Sequence, residues 1–157
     1  MTLTATSTLR HVALAVGSRL RRRGIQAILT GGACVCVYTH GRYVSKDADY
    51  VIQGPVSQKA LDDALAELGF TRRGDRYVHP ATRFYVEFVP GPLSVGGDVG
   101  IRPVELPFRD GAALALSATD CCRDRLAAFY HWRDRQSLRL AVAVARHQAV
   151  DLNAIRR

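Results

Sequence analysis

A chain of 157 residues that is 48% hydrophobic and 23% charged, with a mean hydropathy of −0.03, can bury one core, which excludes a disordered or fibrous polypeptide. No apolar run approaches the roughly 18 to 20 residues of a membrane span, and the basic cluster "RLRRRG" follows the N-terminal apolar segment, the reverse of a secretory leader. The expectation is therefore a cytoplasmic protein with no membrane partner. The formal charge is +8, with Lys46 and Lys59 the only lysines. Such a charge fits composition drift as well as a surface for phosphates, nucleotides or RNA, to which arginine's planar fork is suited.

In chain order, Leu9, Val12, Ala13, Val16 and Leu20 recur at helical spacing, and Gly24 stands where that helix would stop. "IQAILT" is a short apolar strand broken by Gly31-Gly32, and "ACVCVYTHG" then predicts a brief helix closed by Gly41 despite its β-branched valines. "DADYVIQ" is the next strand. Ser57 can cap a helix whose apolar face is Leu61, Leu65 and Leu68, with Gly69 beyond it. "FTRR", "RYVH" and "TRFYVEFV" predict an antiparallel meander turning at Gly74-Asp75. Residues 90 to 111 are loop-rich, with a short strand near Ile101 to Leu106. Thr119 starts a helix to about Arg135, Ser137 to His147 forms another, and Asp151 begins a terminal turn.

The expected fold is α+β (α/β), a small mixed sheet flanked by helices. It forms a single domain over residues 1–157, with a core at about 8–111 and a helical tail at about 112–157. The cysteines stand as C-x-C (Cys34, Cys36) and as an adjacent pair (Cys121, Cys122). Neither spacing is that of a structural zinc site, and buried thiols are expected rather than a disulfide.

The chemistry concentrates in "SKDADYV". Alternation puts Asp47, Asp49 and Val51 on one face of a strand and Ala48, Tyr50 and Ile52 on the other. Two carboxylates on one face repel unless a cation lies between them, and this spacing lets both reach one Mg²⁺, a hard ion that prefers oxygen ligands. Ser45 and Lys46 precede the pair with a hydroxyl and a cation. Gly31-Gly32 ends a strand and opens a helix, where backbone N–H groups can meet phosphate. A further acid, Glu87, interrupts the apolar strand "FYVEFV", and an unpaired carboxylate there is costly without a cation. With that strand beside "DADYV", Glu87 completes a three-carboxylate metal site. The competing reading makes Asp47 and Asp49 solvated strand-end acids and Glu87 the ion-pair partner of Arg83 or Arg76. A D-x-D pair alone would also serve a metal-dependent glycosyl- or phosphotransferase.

A strand, Gly-Gly, a short helix, a Ser-x-Asp-x-Asp strand and a later isolated acid resemble the DNA polymerase β-type nucleotidyltransferase superfamily. More narrowly, the chain is similar to small bacterial nucleotidyltransferase-like proteins of the AbiEii toxin type. The likeness covers about residues 25 to 89, and "TDCCRDRLAAFYHWRDRQSL" is similar in character to the helices that follow the core in such proteins. It implies a Mg²⁺-dependent (or Mn²⁺-dependent) nucleotidyltransferase that moves NMP from a nucleoside triphosphate to a hydroxyl of RNA (tRNA included), protein or a small molecule. It further implies that Asp47, Asp49 and Glu87 are the metal-binding and catalytic acids and that Gly31 and Gly32 hold the triphosphate. Ser45, Lys46 and Arg125 would add to the nucleotide site, Arg125 being preferred over Arg123, Arg133 and Arg135 because Leu126, Phe129 and Tyr130 would dock its helix on the core. Many relatives have Gly-Ser where this chain has Gly31-Gly32. The alternative is a nucleotide- or RNA-binding regulatory module or toxin–antitoxin component that has lost the chemistry. His131 and Trp132 are expected to pack, with base stacking the other reading.

Overall fold

The computed structural model describes residues 3–156. Helix α1 (Leu9–Arg22) opens where the Thr8 side chain accepts from His11 N, and it buries Leu9, Val12, Ala13, Val16 and Leu20. Strand β1 (Gln26–Thr30) leads directly into α2 (Gly31–Tyr38), and β2 (Asp47–Gln53) follows. Ser57 caps α3 (Gln58–Ala66), its side chain accepting from Ala60 N. The meander β3 (Thr71–Arg73), β4 (Arg76–Val78) and β5 (Tyr85–Pro90) comes next. The chain closes with β6 (Val104–Phe108), β7 (Gly111–Ala115), α4 (Ala118–Trp132), α5 (Arg135–His147) and α6 (Leu152–Ile155). This is a mixed α/β fold.

Its seven-stranded sheet has the order β3-β4-β5-β2-β1-β7-β6. β2 runs antiparallel to β1 and parallel to β5, and β7 runs parallel to β1. Alternation on β2 follows the sequence pattern: Ala48 and Tyr50 are fully buried while Asp47, Asp49 and Val51 are only half-buried. Tyr50 reaches α1, where its hydroxyl donates to the Ala13 carbonyl. α1 also lies close on β7, since a Cβ at Gly17 would come within 2.7 Å of the Ala113 Cβ. Any larger residue at 17 would push the helix off the sheet.

Several expectations need correction. The strand near Ile101 to Leu106 lies instead at Val104–Phe108, and "GAALA", assigned to the start of the helical tail at about 112, is β7. Alanine and leucine favour helix in isolation, but here the segment is clamped between β1 and β6, and that pairing overrides local propensity. The cap of α4 is Ser117, which accepts from Asp120 N; Thr119 instead accepts from Asp151 N through its Oγ1. The helix expected to reach Arg135 ends at Trp132. Arg133 takes the left-handed conformation with φ 52°, and the next helix, expected from Ser137, starts at Arg135 with Asp134 as its cap. Finally, Trp132 does not pack: it is 82% exposed, and Tyr130, expected to help dock the helix, is 75% exposed. His131 between them is exposed as well.

All four cysteines are buried free thiols. The Cys34 thiol is pushed up by its hydrogen bond with Cys121 and by burial. No helix among the described residues is long and apolar enough to cross a membrane.

Candidate active site

The acids sit at the head of the central parallel pair. In the β2–β5 register Asp49 lies opposite Glu87, and Asp47 opposite Tyr85. Asp47, Asp49 and Glu87 each offer a carboxylate oxygen, and these three oxygens lie within 4.8 Å of one another. Three hard oxygen donors that converge so closely could hold a metal ion.

Their electrostatics favour a cation at the point of convergence. Burial pushes the Asp49 carboxyl up to about 7, helped by a hydrogen bond shared with Asp47 and by the charges of Asp47 and Glu87, while Arg125 opposes the shift. Glu87 is also raised, first by burial and then by Asp47, with Arg76 opposing. Without a cation, Asp49 thus holds its proton well above the ordinary carboxylate range.

Gly31 follows from the geometry. Its φ is +64°, in the left-handed region, and a Cβ there would meet the Asp49 carboxylate at 3.1 Å. It is the first residue of α2, and the preceding Thr30 makes no side-chain cap to the helix. The Thr30 hydroxyl instead donates to the Asp49 carbonyl at 3.3 Å. The opening of α2, with amides that no side chain caps, therefore lies against the acids.

At Gly32 a Cβ would fall 2.9 Å from the Ser45 Cβ and 3.0 Å from the Ser45 Oγ, with Tyr43 at 3.3 Å. The space a side chain at position 32 would need is filled from the following loop. The Ser45 hydroxyl donates to the Asp47 carbonyl at 2.9 Å, which fixes the start of β2. Lys46 is exposed beside it, and its carbonyl accepts from Tyr85 N at 3.3 Å.

From α4, Arg125 donates to the Asp124 carboxylate at 2.8 Å, and its Nε is buried without a hydrogen-bond partner among the described residues. Its charge acts on Asp49. Arg123 is engaged elsewhere, with Asp120 at 2.8 Å and Asp98 at 3.0 Å. Arg133 and Arg135 stand at the exposed α4–α5 corner.

The site also contains the competing arrangement. Arg76 lies opposite Glu87 across β4–β5, and their charged atoms are 3.7 Å apart. Arg83 instead lies over the Phe84 ring. Glu87 is therefore shared between the acidic cluster and one arginine. Thr30 and Tyr43 did not stand out in the sequence. Thr30 was recognisable only as the residue before Gly-Gly, and nothing local marked Tyr43.

No protein-family model matches the chain, and no curated protein does. A solved structure does match: the crystal structure of an antigenic nucleotidyltransferase-like protein from Paracoccidioides brasiliensis. It aligns over 90% of this chain and 77% of its own length with a TM-score of 0.63 and 16% sequence identity. The likeness is one of architecture, and the chain has a nucleotidyltransferase-like fold.

Proposed function

We propose that the protein is a Mg²⁺-dependent nucleotidyltransferase that moves NMP from a nucleoside triphosphate to a hydroxyl acceptor. The observation that carries this reading is the convergence of Asp47, Asp49 and Glu87 to within 4.8 Å beside the uncapped start of α2. The fit to a hard divalent ion is good, because the donors are carboxylate oxygens and the cluster is deficient in positive charge. Asp47, Asp49 and Glu87 would hold the metal, which when bound polarises phosphate oxygens and lowers the pKa of a coordinated hydroxyl.

The chain's own groups have separable roles. The backbone N–H groups of Gly31 and Gly32 receive phosphate oxygens at the helix start. Arg125, with a buried Nε awaiting an acceptor, adds a charge-assisted hydrogen bond to the same anion. Lys46 supplies an exposed cation, and Ser45 keeps the loop against Gly32. In the reaction the acceptor oxygen bonds to the α-phosphorus as the bond from that phosphorus to the β-phosphate bridging oxygen breaks. The bonding pair leaves with pyrophosphate, and the acceptor's proton passes to a carboxylate, with Glu87 in that role.

A second reading is a nucleotide- or RNA-binding regulatory module or toxin–antitoxin component that has lost the transfer chemistry, and the Arg76–Glu87 pair favours it. One experiment separates the two. Each of the four α-labelled nucleoside triphosphates is incubated with the protein, Mg²⁺, and RNA or protein acceptors. Label transfer with pyrophosphate release is expected; metal-dependent nucleotide binding without either product would select the module.

A further inference from the structure

Two groups of arginines on helices contrast with one another. Those at the end of α1 are all neutralised by acids distant in sequence: Arg19 and Arg23 by Glu67, Arg21 by Glu105 and Arg22 by Asp110. Those of α5 are not. Arg135, Arg139 and Arg146 are exposed and make no ion pair among the described residues. With Val142, 42% exposed, they recur at steps of four, three and four residues. At about 100° per residue they occupy an arc of about 60°, and at about 1.5 Å per residue they extend for about 16 Å. The opposite face of α5 carries the buried Ser137, Leu140, Ala141 and Val144.

The stripe has an aromatic end. Trp132 is 82% exposed and Tyr130 75% exposed, and Trp132 is followed at once by Arg133, whose backbone holds a conformation that favours glycine. A large bare ring three residues ahead of the first of these unpaired arginines is a poor solution for solubility alone. It suits a ligand with a charged backbone and flat apolar faces.

We propose that the α5 arginine stripe with Trp132 is a binding surface for single-stranded RNA, whose phosphates run along Arg135, Arg139 and Arg146 while a base stacks on Trp132. Charge complementarity selects a polyanion, and the exposed ring selects one with unpaired bases. RNA rather than DNA follows from its readily available single-stranded segments and from the hydroxyl on every nucleotide. Only the use of that hydroxyl as an acceptor rests on the nucleotidyl-transfer reading; the surface itself does not. Binding is measured without nucleotide or metal, so failure of the surface and failure of that reading are seen separately.

The test is fluorescence anisotropy over a salt series with four labelled probes: single-stranded RNA, the same sequence as DNA, a blunt RNA duplex and polyglutamate. Single-stranded RNA is expected to bind tightest. Arg139→Ala and Arg146→Ala should each weaken it and reduce the salt slope by about 0.7 for each phosphate no longer neutralised. Trp132→Ala should weaken binding by roughly five- to a hundredfold without changing the slope, and Trp132→Phe should restore most of it. Arg22→Ala, which removes an equal charge from the neutralised group, is the control and should lose far less. All these side chains are exposed, and a thermal melt of each variant confirms the fold. Equal binding of DNA, duplex or polyglutamate, no RNA binding at low salt, or an equal loss in Arg22→Ala would overturn the proposal.

Discussion

The acids of the α1 end and those of the β2–β5 pair obey opposite electrostatic rules. Glu67 receives two arginines and Glu105 and Asp110 one each, so every carboxylate there has a cation. Asp47, Asp49 and Glu87 are packed against one another; among the described residues Arg76 forms the one ion pair with them, at the edge, and Arg125 acts on Asp49 from α4. An arrangement selected for stability would interleave the signs, as the α1 end does. One that holds like charges together lowers the stability of the bare protein and gains only when a cation arrives. The contrast teaches where to look for chemistry: where charge is arranged at the fold's expense.

The strongest way to break this comparison is to remove one acid of the cluster. Asp47→Asn should abolish metal-dependent triphosphate binding by calorimetry and reduce transfer by roughly three orders of magnitude, near the upper range for losing one preorganised charge-stabilising group. Nucleotide binding of undiminished strength in the variant, or equal binding by wild type with and without Mg²⁺, would assign the cluster to structure.

Glu87 sharpens the comparison because it belongs to both rules. If it receives the acceptor's proton, Glu87→Gln should lower transfer by about two orders of magnitude, the scale of a positioned base, while nucleotide affinity stays within a few fold. Its exposed partner Arg76, at 3.7 Å, makes the structural loss small, about 0.5 kcal/mol. A variant with unchanged turnover but a melting point several degrees lower would show that the arginine is its true partner.

Much of this contrast was legible in the sequence, and what escaped was long-range. Alternation in "DADYV" and "FYVEFV" was enough to put the acids on half-buried faces, because Tyr50 and Val86 can only go to the core. That these two strands are parallel neighbours with Asp49 opposite Glu87 is a matter of topology, which the sequence supported only through resemblance. The strand "GAALA" was hidden because its residues favour helix and its role comes from pairing with β1. Gly32 looked like a departure from a pattern; its cause, the side chain of Ser45 filling that space, lies in the packing of a loop. The helix break at Arg133 had no glycine or proline to mark it.

The pH dependence of the bare protein is the next test in size. Asp49 is raised from its ordinary value to about 7, so between about pH 4 and 7 the folded state binds more protons than the unfolded state. Stability of the metal-free protein should therefore be greatest at the acid end of this window, fall as pH rises to about 7, and level off above it. Asp49→Asn should flatten the fall and melt higher than wild type at pH 8 in EDTA. Adding Mg²⁺ should raise the melting point of wild type and not of the variant. A wild-type melting point that climbs from pH 4 to 7 would mean that the acids are stabilised by cations in the bare fold.

The smallest effect comes from the other side of the comparison. Glu67 bonds to Arg23 through Nε at 2.9 Å and lies 3.4 Å from Arg19, an arrangement that ties the end of α1 to the end of α3. Both arginines remain partly exposed, with side-chain accessibilities of 26% and 56%, so water already screens much of the attraction. Glu67→Gln keeps the size and some hydrogen bonding, and the expected loss is about 0.5 to 1 kcal/mol, or roughly 1 to 4 °C in melting temperature for a chain of this size. The loss should shrink in 1 M salt, where the screening length is about 3 Å. Metal affinity should be unchanged, since Glu67 is not part of the acidic cluster. A loss that persists in high salt would show that Glu67 acts through packing rather than charge, and weakened metal binding would show that the two ends of the fold are coupled.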